Sequence, residues 1–453
     1  MTPSFSNADI VLVNGLILAD PASPQVARHG RTVISGSRLL RVNEPCSDPL
    51  PAGTVIDCSG CLILPGLVNA HVHGAMSLLR GLADDLPLDT WLNDYMFPAE
   101  AKFAGPEFVR LGTQLSALEM ALGGITTCAD AYFYMEHAAR AVCEVGIRGV
   151  IAQGILDVPA PDAPSAGDWK RRVGTFFSAF PDDDLVTPAL FCHSPYLCGP
   201  DTLREAAELS RKRSVPFFSH VSETAWEVNE LRNRYQCGPV AHLKDVGILG
   251  KDFIAVHVTH VSDAEMDMLA ESRTGVVHCP EANMKLGSGA APVSGLLQRG
   301  VIVGIGTDGP ASNNNLDLFE EMRSASLLAK VISGNPEALD ARTVLRMATI
   351  DGAALLGLDD RTGSLAPGKF ADLVILDLNR PHLTPAYDLI SHLVYSAKGS
   401  DVRDLIVNGK VIVDHGRITT IDEEALKAAV RKFAERIRSD MGVGKPLGAE
   451  VED

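Results

Sequence analysis

The stretch CLILPGLVNAHVHGAM (61–76) decides the fold, because an apolar run typical of a buried strand ends in two histidines, His71 and His73. Residues two apart in a strand point to the same face, so both imidazoles are expected to project side by side. A single pair of this kind supports a metal site only weakly, since buried histidines are often structural. Its meaning depends on what the other strands of the chain bring to the same place.

Seven further apolar runs between residues 64 and 360 each lead into a polar residue of a type that enzymes use. These residues are Asp130, Asp157, His193, His220, His257, His278 and Asp308. Amphipathic helical patterns separate the runs, such as PDTLREAAELSRKRS (200–214), where Asp201 is expected to cap the helix. Eight strands alternating with helices predict an α/β fold, a (β/α)8 barrel of TIM type with its chemistry at the carboxyl ends of the strands. We expect Asp130, Asp157 and His278 to be structural.

Short strand patterns also fill the two ends of the chain, residues 1–63 and 363–420, where Gly, Pro and Asp separate them. We predict that these segments form one small β-sandwich and that the barrel, residues 64–362, is inserted between them. Residues 421–453 are predicted to form a C-terminal helix and an acidic tail.

The amino-acid composition indicates which binding partners and which cellular compartment to expect. The 57 acidic against 40 basic residues give a net charge of −17, which argues against nucleic acid or an anionic membrane as a partner. No apolar run reaches the ~18 residues of a membrane span, and the N-terminus lacks the pattern of a secretion signal. The nine scattered cysteines fit reduced thiols in a cytoplasmic protein, and the Cys58–Cys61 pair is interpreted as ordinary strand residues.

Four of the polar residues form a candidate metal site. His71 and His73 from the first strand, His220 from the fifth and Asp308 from the eighth can converge at the mouth of the barrel. Three imidazoles and one carboxylate suit one Zn²⁺, or Fe²⁺, and leave a position open for water. Such a metal lowers the pKa of its water from ~15.7 towards ~7, which favours hydrolysis at neutral pH.

Hydrolysis also needs a group that protonates the leaving side of the tetrahedral intermediate. Glu223 follows His220 by three residues, and a carboxylate there can take a proton from water and deliver it to a ring nitrogen. The alternative interpretation is a carboxylate that stabilises a helix N-terminus. His257, at the end of the sixth strand, can orient the attacking water, and Asp308 can act as both ligand and proton shuttle.

With these residues in place, the chain resembles the amidohydrolase superfamily over nearly its whole length. The matching segments are NAHVHGAMSLLRGLADDLPLDTWL (69–92), PAEAK (98–102), CHSPYLC (192–198), HVSET (220–224), KLGSGAAPV (285–293) and GTDGPASNNNLDLFEEMR (306–323). Among its members the chain is most similar to the methylthioadenosine/S-adenosylhomocysteine deaminases, and after them to triazine hydrolases and guanine deaminases.

The resemblance implies roles for further residues. Glu100 is implied to bind the ribose hydroxyls, which a carboxylate can do by accepting two hydrogen bonds. His193 is implied to bond the purine or the ribose, Glu223 to contact the purine edge, and Trp91 to wall the pocket, although a core tryptophan is an equal alternative. Related binuclear enzymes bridge their metals with a carboxylated lysine at the fourth strand, where this chain has His193. A single metal is therefore expected. The resemblance also implies a homo-oligomer, because members of the family are often oligomeric.

One departure from the pattern bears on the substrate. Some members place an arginine at the end of strand 3, near the 5′ substituent, where this chain has Gln153. Arg171 and Arg172 lie further on and do not align with it. Because a guanidinium suits a carboxylate, S-adenosylhomocysteine is a less favoured substrate than methylthioadenosine, adenosine or 5′-deoxyadenosine.

The predicted function is a metal-dependent deaminase of adenine nucleosides, a small-molecule enzyme acting on a purine nucleoside. The first alternative is an amidohydrolase acting on another amino- or chloro-heterocycle, such as an s-triazine, guanine or a pterin, for which Glu100 would have no ribose partner. The second is a non-catalytic barrel in which the metal only stabilises the structure. Structural zinc sites of this kind have four protein ligands and no position open for water.

Overall fold

Seventeen strands form two sheets in the computed structural model, which describes residues 8–23, 28–45, 52–86 and 90–442. The strands are β1 Ala8–Ile17, β2 Arg28–Ser35, β3 Arg38–Glu44, β4 Ala52–Asp57, β5 Cys61–Pro65, β6 Leu67–Val72, β7 Ile125–Tyr132, β8 Arg148–Ile155, β9 Val186–Cys192, β10 Phe217–Val221, β11 Phe253–His257, β12 Gly275–His278, β13 Val303–Ile305, β14 Leu373–Asp377, β15 Val402–Val407, β16 Lys410–Asp414 and β17 Arg417–Ile418.

Helices follow most barrel strands and cover the outside of the barrel. They are α1 Phe97–Phe103, α2 Pro106–Leu122, α3 Met135–Val145, α4 Trp169–Ala179, α5 Pro200–Arg213, α6 Ala225–Tyr235, α7 Pro239–Val246, α8 Asp263–Ser272, α9 Pro280–Lys285, α10 Val293–Gln298, α11 Leu318–Ser333, α12 Ala341–Met347, α13 Ile350–Leu355, α14 Leu389–Tyr395 and α15 Glu423–Met441. A 3₁₀ helix, Gly74–Leu79, and a π-helical turn, Trp91–Met96, lie between β6 and α1.

The eight-stranded sheet is the predicted barrel. Its strands run in sequence order from β6 to β13 with every pair parallel, and a bridge between Val72 and Asp308 joins the last strand to the first. Each of the eight apolar runs forms the strand predicted for it, so the fold class is confirmed. Because parallel strands of a barrel end at one rim, the polar residues that follow them are brought to the same mouth.

The second sheet joins the two ends of the chain, as predicted. Strand β5 pairs antiparallel with β14, with Ile63 opposite Ile375, so residues from both termini share one nine-stranded sheet. Its strands enclose an apolar cluster that includes Leu12, Ile34 and Ile406. Burial of these aliphatic side chains is the main stabilising contribution of this sheet.

Strand β5, a member of the terminal sheet, extends to Pro65, and only Gly66 separates it from barrel strand β6. The domain limits at residues 63, 362 and 420 remain predictions. Helix α15 packs on α2, with the rings of Phe433 and Phe108 5.9 Å apart. The predicted acidic tail beyond residue 442 lies outside the described residues.

The expected cap at Asp201 is wrong. Helix α5 already begins at Pro200, after the extended residue Gly199, and no side chain caps its N-terminus. The Gly199 N–H instead donates to the carboxylate of Asp157, at 2.6 Å, from the end of strand β8. Asp157 therefore has the structural role expected of it, while Asp201 is exposed and pairs with Arg204.

Two further observations concern cysteines and membranes. The eight cysteines in the described ranges are all free thiols. Within those same ranges, every helix is too short or too polar to cross a bilayer.

Candidate metal centre and catalytic cavity

The two histidines at the end of β6 are held in a defined orientation. The ring nitrogen Nδ1 of His73 lies 2.6 Å from the carbonyl oxygen of Ala131, at the end of neighbouring strand β7. Because a carbonyl oxygen only accepts, Nδ1 is the donor in this contact and Nε2 is directed towards the cluster, as in many metal-binding histidines. Asp130, on β7, accepts a hydrogen bond from the Gly74 N–H at 2.8 Å and so fixes the turn after His73.

Four side chains converge at the barrel mouth: His71, His73, His220 and Asp308, whose candidate ligand atoms all lie within 4.8 Å of one another. Asp308 Oδ1 is 3.4 Å from His71 Nε2 and 3.3 Å from His73 Nε2. His73 Nε2 is also 3.3 Å from His220 Nε2. Nitrogen and oxygen atoms at these separations can be common ligands of one ion, although residues 71 and 308 are distant in sequence.

The chemical state of the four side chains fits a divalent metal. Burial lowers the pKa of His71 to about 4 and that of His220 well below its usual range, so both imidazoles are neutral near pH 7. Burial alone would raise the pKa of Asp308, but the close approach of His71 and the nearby histidines hold it well below its usual range. His71 Nε2 is buried and makes no hydrogen bond, and the atom that faces it at 3.4 Å is Asp308 Oδ1, as expected of two ligands of one ion.

Close approach of β13 to β6 brings Asp308 to the histidines. A Cβ at Gly306 would lie 2.8 Å from both the backbone nitrogen and the carbonyl oxygen of His71, so the position accepts only glycine. The Asn69 amide donates to Thr307 Oγ1 at 2.8 Å and accepts from the Thr307 N–H at 3.1 Å. Asp308 itself has a left-handed backbone (φ 59°), a strained conformation of the kind found at functional sites.

Glu223 and His257 stand beside the four-residue cluster. His257 Nε2 lies 3.9 Å from Glu223 Oε2, and its other ring nitrogen is 3.1 Å from the Asn283 side-chain amide, which sets its orientation. The Ser288 hydroxyl donates to Glu223 at 3.4 Å. Burial raises the pKa of Glu223, which suits a carboxyl that holds and releases a proton.

A second carboxylate fixes the loop that carries Glu223. Glu227 accepts the Ser222 N–H at 2.9 Å and the Glu223 N–H at 2.8 Å, one with each oxygen. The Thr259 hydroxyl donates to the Ser222 carbonyl at 2.9 Å and also to the Glu223 carbonyl. The turns after β10 and β11, which present Glu223 and His257, are therefore bonded to each other.

A cavity of about 530 Å³ opens from this cluster towards solvent. It is lined by the six predicted residues Trp91, Glu100, His193, Glu223, His257 and Asp308, together with His73 and His220. The volume suits a ligand of nucleoside size, since small-molecule pockets span roughly 300–1,000 Å³. The cavity therefore contains three of the four candidate metal ligands, the predicted proton carrier and the expected substrate contacts.

Glu100 has a partner that the sequence did not indicate. The Tyr132 hydroxyl donates to Glu100 Oε1 at 2.7 Å, and both side chains are buried. Burial raises the pKa of Glu100 to about 7, although the bond from Tyr132 lowers it. The second oxygen of the carboxylate remains available to a ligand in the cavity.

Gln153 and the two arginines are not brought to the cavity. Gln153 is fully buried, and its amide donates to Asp162 at 3.0 Å in the loop after β8, so its side chain does not line the cavity as the resemblance implies. Arg172 donates to Asp162 at 2.6 Å and to Glu136, behind the cavity wall. Arg171 is exposed, and neither arginine lines the cavity.

Several contributing residues were missed because the sequence gives each only a common polar type. They are Tyr132, Glu227, Asn283, Ser288 and Ser312, whose hydroxyl donates to Asp308 at 2.8 Å. Tyr132 was the most accessible of these, because it lies two residues after Asp130 and therefore on the same face of β7.

Comparison with known proteins places the chain. Residues 62–412 match the family described as the amidohydrolase family. The chain belongs to the amidohydrolase family. It is 40% identical over 435 residues to the 5-methylthioadenosine/S-adenosylhomocysteine deaminase of Syntrophobacter fumaroxidans, covering 96% of this chain and 99% of that protein. It is 45% identical over 414 residues to the 5′-deoxyadenosine deaminase of Methanothermobacter thermautotrophicus, covering 91% and 95%.

A crystal structure of a relative agrees with this family. An adenosine deaminase from Xanthomonas campestris with bound zinc superimposes with a TM-score of 0.93 at 36% identity, over 96% of this amidohydrolase and 100% of that chain. The family that the sequence motifs resemble is thus confirmed, and one of its members contains the kind of metal that the four-residue cluster fits.

Proposed function

We propose that this amidohydrolase is a metal-dependent hydrolytic deaminase of adenine nucleosides, which converts the 6-amino group to an oxo group and releases ammonia. The observation that carries the proposal is a single cavity in which Glu223 and His257 border the four-residue cluster while Glu100 lines the same space. The named relatives deaminate 5-methylthioadenosine, S-adenosylhomocysteine, 5′-deoxyadenosine or adenosine.

His71, His73, His220 and Asp308 would hold one divalent ion, Zn²⁺ or alternatively Fe²⁺. When bound, the ion supplies a Lewis acid that makes water a nucleophile near neutral pH. The position after the fourth barrel strand, where related binuclear enzymes have a bridging lysine, is His193 in this chain, which supports a single ion. The four side chains therefore prepare the water, and the remaining chemistry falls to Glu223 and His257.

Glu223 is proposed to carry the proton. It takes one proton from the attacking water and delivers it to the purine nitrogen next to C6, so the ring can accept the incoming oxygen. A second proton from the same water leaves with the amino group as ammonia, and Asp308 can relay it. His257, held by Asn283, lies 3.9 Å from Glu223 and is placed to orient the water.

Glu100 is proposed to bind the ribose hydroxyls with the carboxylate that Tyr132 orients. His193, whose ring centre is 4.9 Å from that of His220, is proposed to bond the purine or ribose, and Trp91 to wall the pocket. These contacts would orient C6 towards the cluster, which converts binding into positioning of the reacting atoms.

The setting of the enzyme is proposed from surface features. Free thiols at all eight described cysteines support a reducing cytoplasm. Helix α11 exposes Leu327, Val331 and Ile332, by 44%, 80% and 60%, and an exposed apolar strip of this kind supports a homo-oligomer.

The test is ammonia release by metal-replete protein from a panel of nucleosides, guanine and an s-triazine. We expect activity on adenine nucleosides. Activity on the triazine or guanine alone would favour the other heterocyclic hydrolases, and inactivity on the whole panel would favour a structural metal. Glu100→Ala should raise KM for adenosine but leave KM for free adenine unchanged. Glu100→Gln, which keeps the size of the side chain, is the matched control.

A further inference from the structure

The described part of the cavity contains acidic side chains but no lysine or arginine. Its charged side chains are Glu100, Glu223 and Asp308, and no lysine or arginine of the described ranges lines it. Wherever a carboxylate-bearing group of a substrate settled in this space, it would meet no guanidinium or ammonium among these residues. It would instead face carboxylates of like charge.

The buried guanidinium behind the cavity loop, Arg172, is already neutralised. Arg172 is 5% exposed at its side chain and pairs with Asp162, at 2.6 Å, and with Glu136. Gln153 donates to the same Asp162 oxygen at 3.0 Å, which further fixes the pair. Turning Arg172 into the cavity would leave two buried carboxylates unpaired, so the structure does not hold it in reserve for a substrate.

The wall around the entrance is apolar on both sides. The loop after β8 contributes Leu156, Val158 and Pro161, while Leu92 in the π-helical turn and Phe97 at the start of α1 line the other side. An alkyl or thioether substituent gains from contact with such a surface. A carboxylate that loses its water there without a partner is strongly disfavoured.

We propose that this cavity selects adenine nucleosides whose 5′ substituent is apolar and uncharged, and discriminates against a substituent that ends in an amino-acid carboxylate. The inference rests on the proposed deaminase function. It distinguishes between substrates that the names of the relatives combine, since 5-methylthioadenosine and 5′-deoxyadenosine have apolar 5′ groups while S-adenosylhomocysteine has a zwitterionic one. The α-ammonium of that tail could meet the acids of the cavity, but its carboxylate could not.

The experiment compares kcat/KM for 5′-methylthioadenosine, 5′-deoxyadenosine, S-adenosylhomocysteine and 5′-butylthioadenosine. The last has the same chain length as the homocysteine tail without its charges, so it separates charge from size. We expect the three uncharged substrates to lie within about tenfold of one another and S-adenosylhomocysteine to be at least ~100-fold poorer. Equal kcat/KM for S-adenosylhomocysteine and the butylthio compound would overturn the inference while leaving the deaminase function intact. Inactivity on all four would overturn both.

A charge-introducing variant provides the second measurement. Val158 lines the entrance and is 39% exposed, so a long side chain can be placed there without disturbing the core. Val158→Arg should raise the ratio of S-adenosylhomocysteine to butylthioadenosine activity by about tenfold or more relative to the neutral control Val158→Gln. The same ratio in both variants would contradict the electrostatic origin of the selectivity.

Discussion

Removing one hydroxyl, in Tyr132→Phe, tests the proposed binding of ribose by Glu100. The phenol donates to the buried Glu100 carboxylate at 2.7 Å, and burial has already raised the pKa of that carboxyl to about 7. Glu100 can accept bonds from both ribose hydroxyls only when it is ionised. KM for adenosine should therefore rise as the pH falls through the pKa of Glu100.

The size of the shift in the KM profile follows from the one hydrogen bond that the substitution removes. A hydrogen bond to a charged group contributes about 1.5–3 kcal/mol, which corresponds to a rise of about 1 to 2 pH units in the midpoint of the KM profile. A bound cation shifts the midpoint of both proteins in the same direction, so the difference between them isolates the hydrogen bond. The aromatic ring that packs beside Phe108 and Phe133 is retained in the variant.

The assay is the pH dependence of KM and kcat for adenosine, with 2′,3′-dideoxyadenosine as a control that lacks both hydroxyls. We expect the upward shift for adenosine, an unchanged kcat, and no shift in KM for the dideoxy compound. Identical KM profiles for Tyr132→Phe and wild type would refute the reasoning. A shift of equal size for the dideoxy compound would refute the ribose role of Glu100.

Three further substitutions probe the proton carrier, its support and the wall of the cavity. Glu223→Gln should lower kcat by about 10²–10⁴-fold at unchanged metal content by elemental analysis, and loss of the metal would contradict its assigned role. Glu227→Gln replaces one of two acceptors of backbone N–H groups, so kcat should fall about tenfold with little change in KM, and a change confined to KM would contradict it. Arg172→Met leaves Glu136 and Asp162 unpaired and should lower the free energy of unfolding in urea by about 3–5 kcal/mol, whereas an unchanged midpoint would show that the pair is not stabilising.

The order of polar residues along the chain was sufficient to predict the barrel and the cluster. The eight strand ends are far apart in the sequence, but closure of the barrel puts all of them on one rim. His71 and Asp308 could therefore be expected to meet. The side chains that support them were harder to predict. Glu227 and Tyr132 act through bonds to a loop and to another side chain, and such partners depend on packing that one sequence does not reveal.

For Gln153, the position in the strand could be predicted but the direction of its side chain could not. Its position at the end of β8 was read correctly, yet the side chain turns to Asp162 because that buried carboxylate needs donors and Arg172 alone does not satisfy it. Register along a strand was therefore predictable, whereas the choice between two directions at its end was not. The cap expected at Asp201 was wrong because the helix begins one residue earlier, at Pro200, and Asp157 accepts the N–H of Gly199 in front of it.

The seam where β13 meets β6 has a consequence for how the molecule comes apart. Asn69 and Thr307 bond across it although they are 238 residues apart, and ligands from both sides of the seam would share one ion. The metal would then crosslink the first and last strands of the barrel across the long chain segment between His71 and Asp308, and its binding free energy would stabilise the closed barrel. Stripping the ion should first loosen these two strands, visible as faster amide hydrogen exchange there than on the opposite wall.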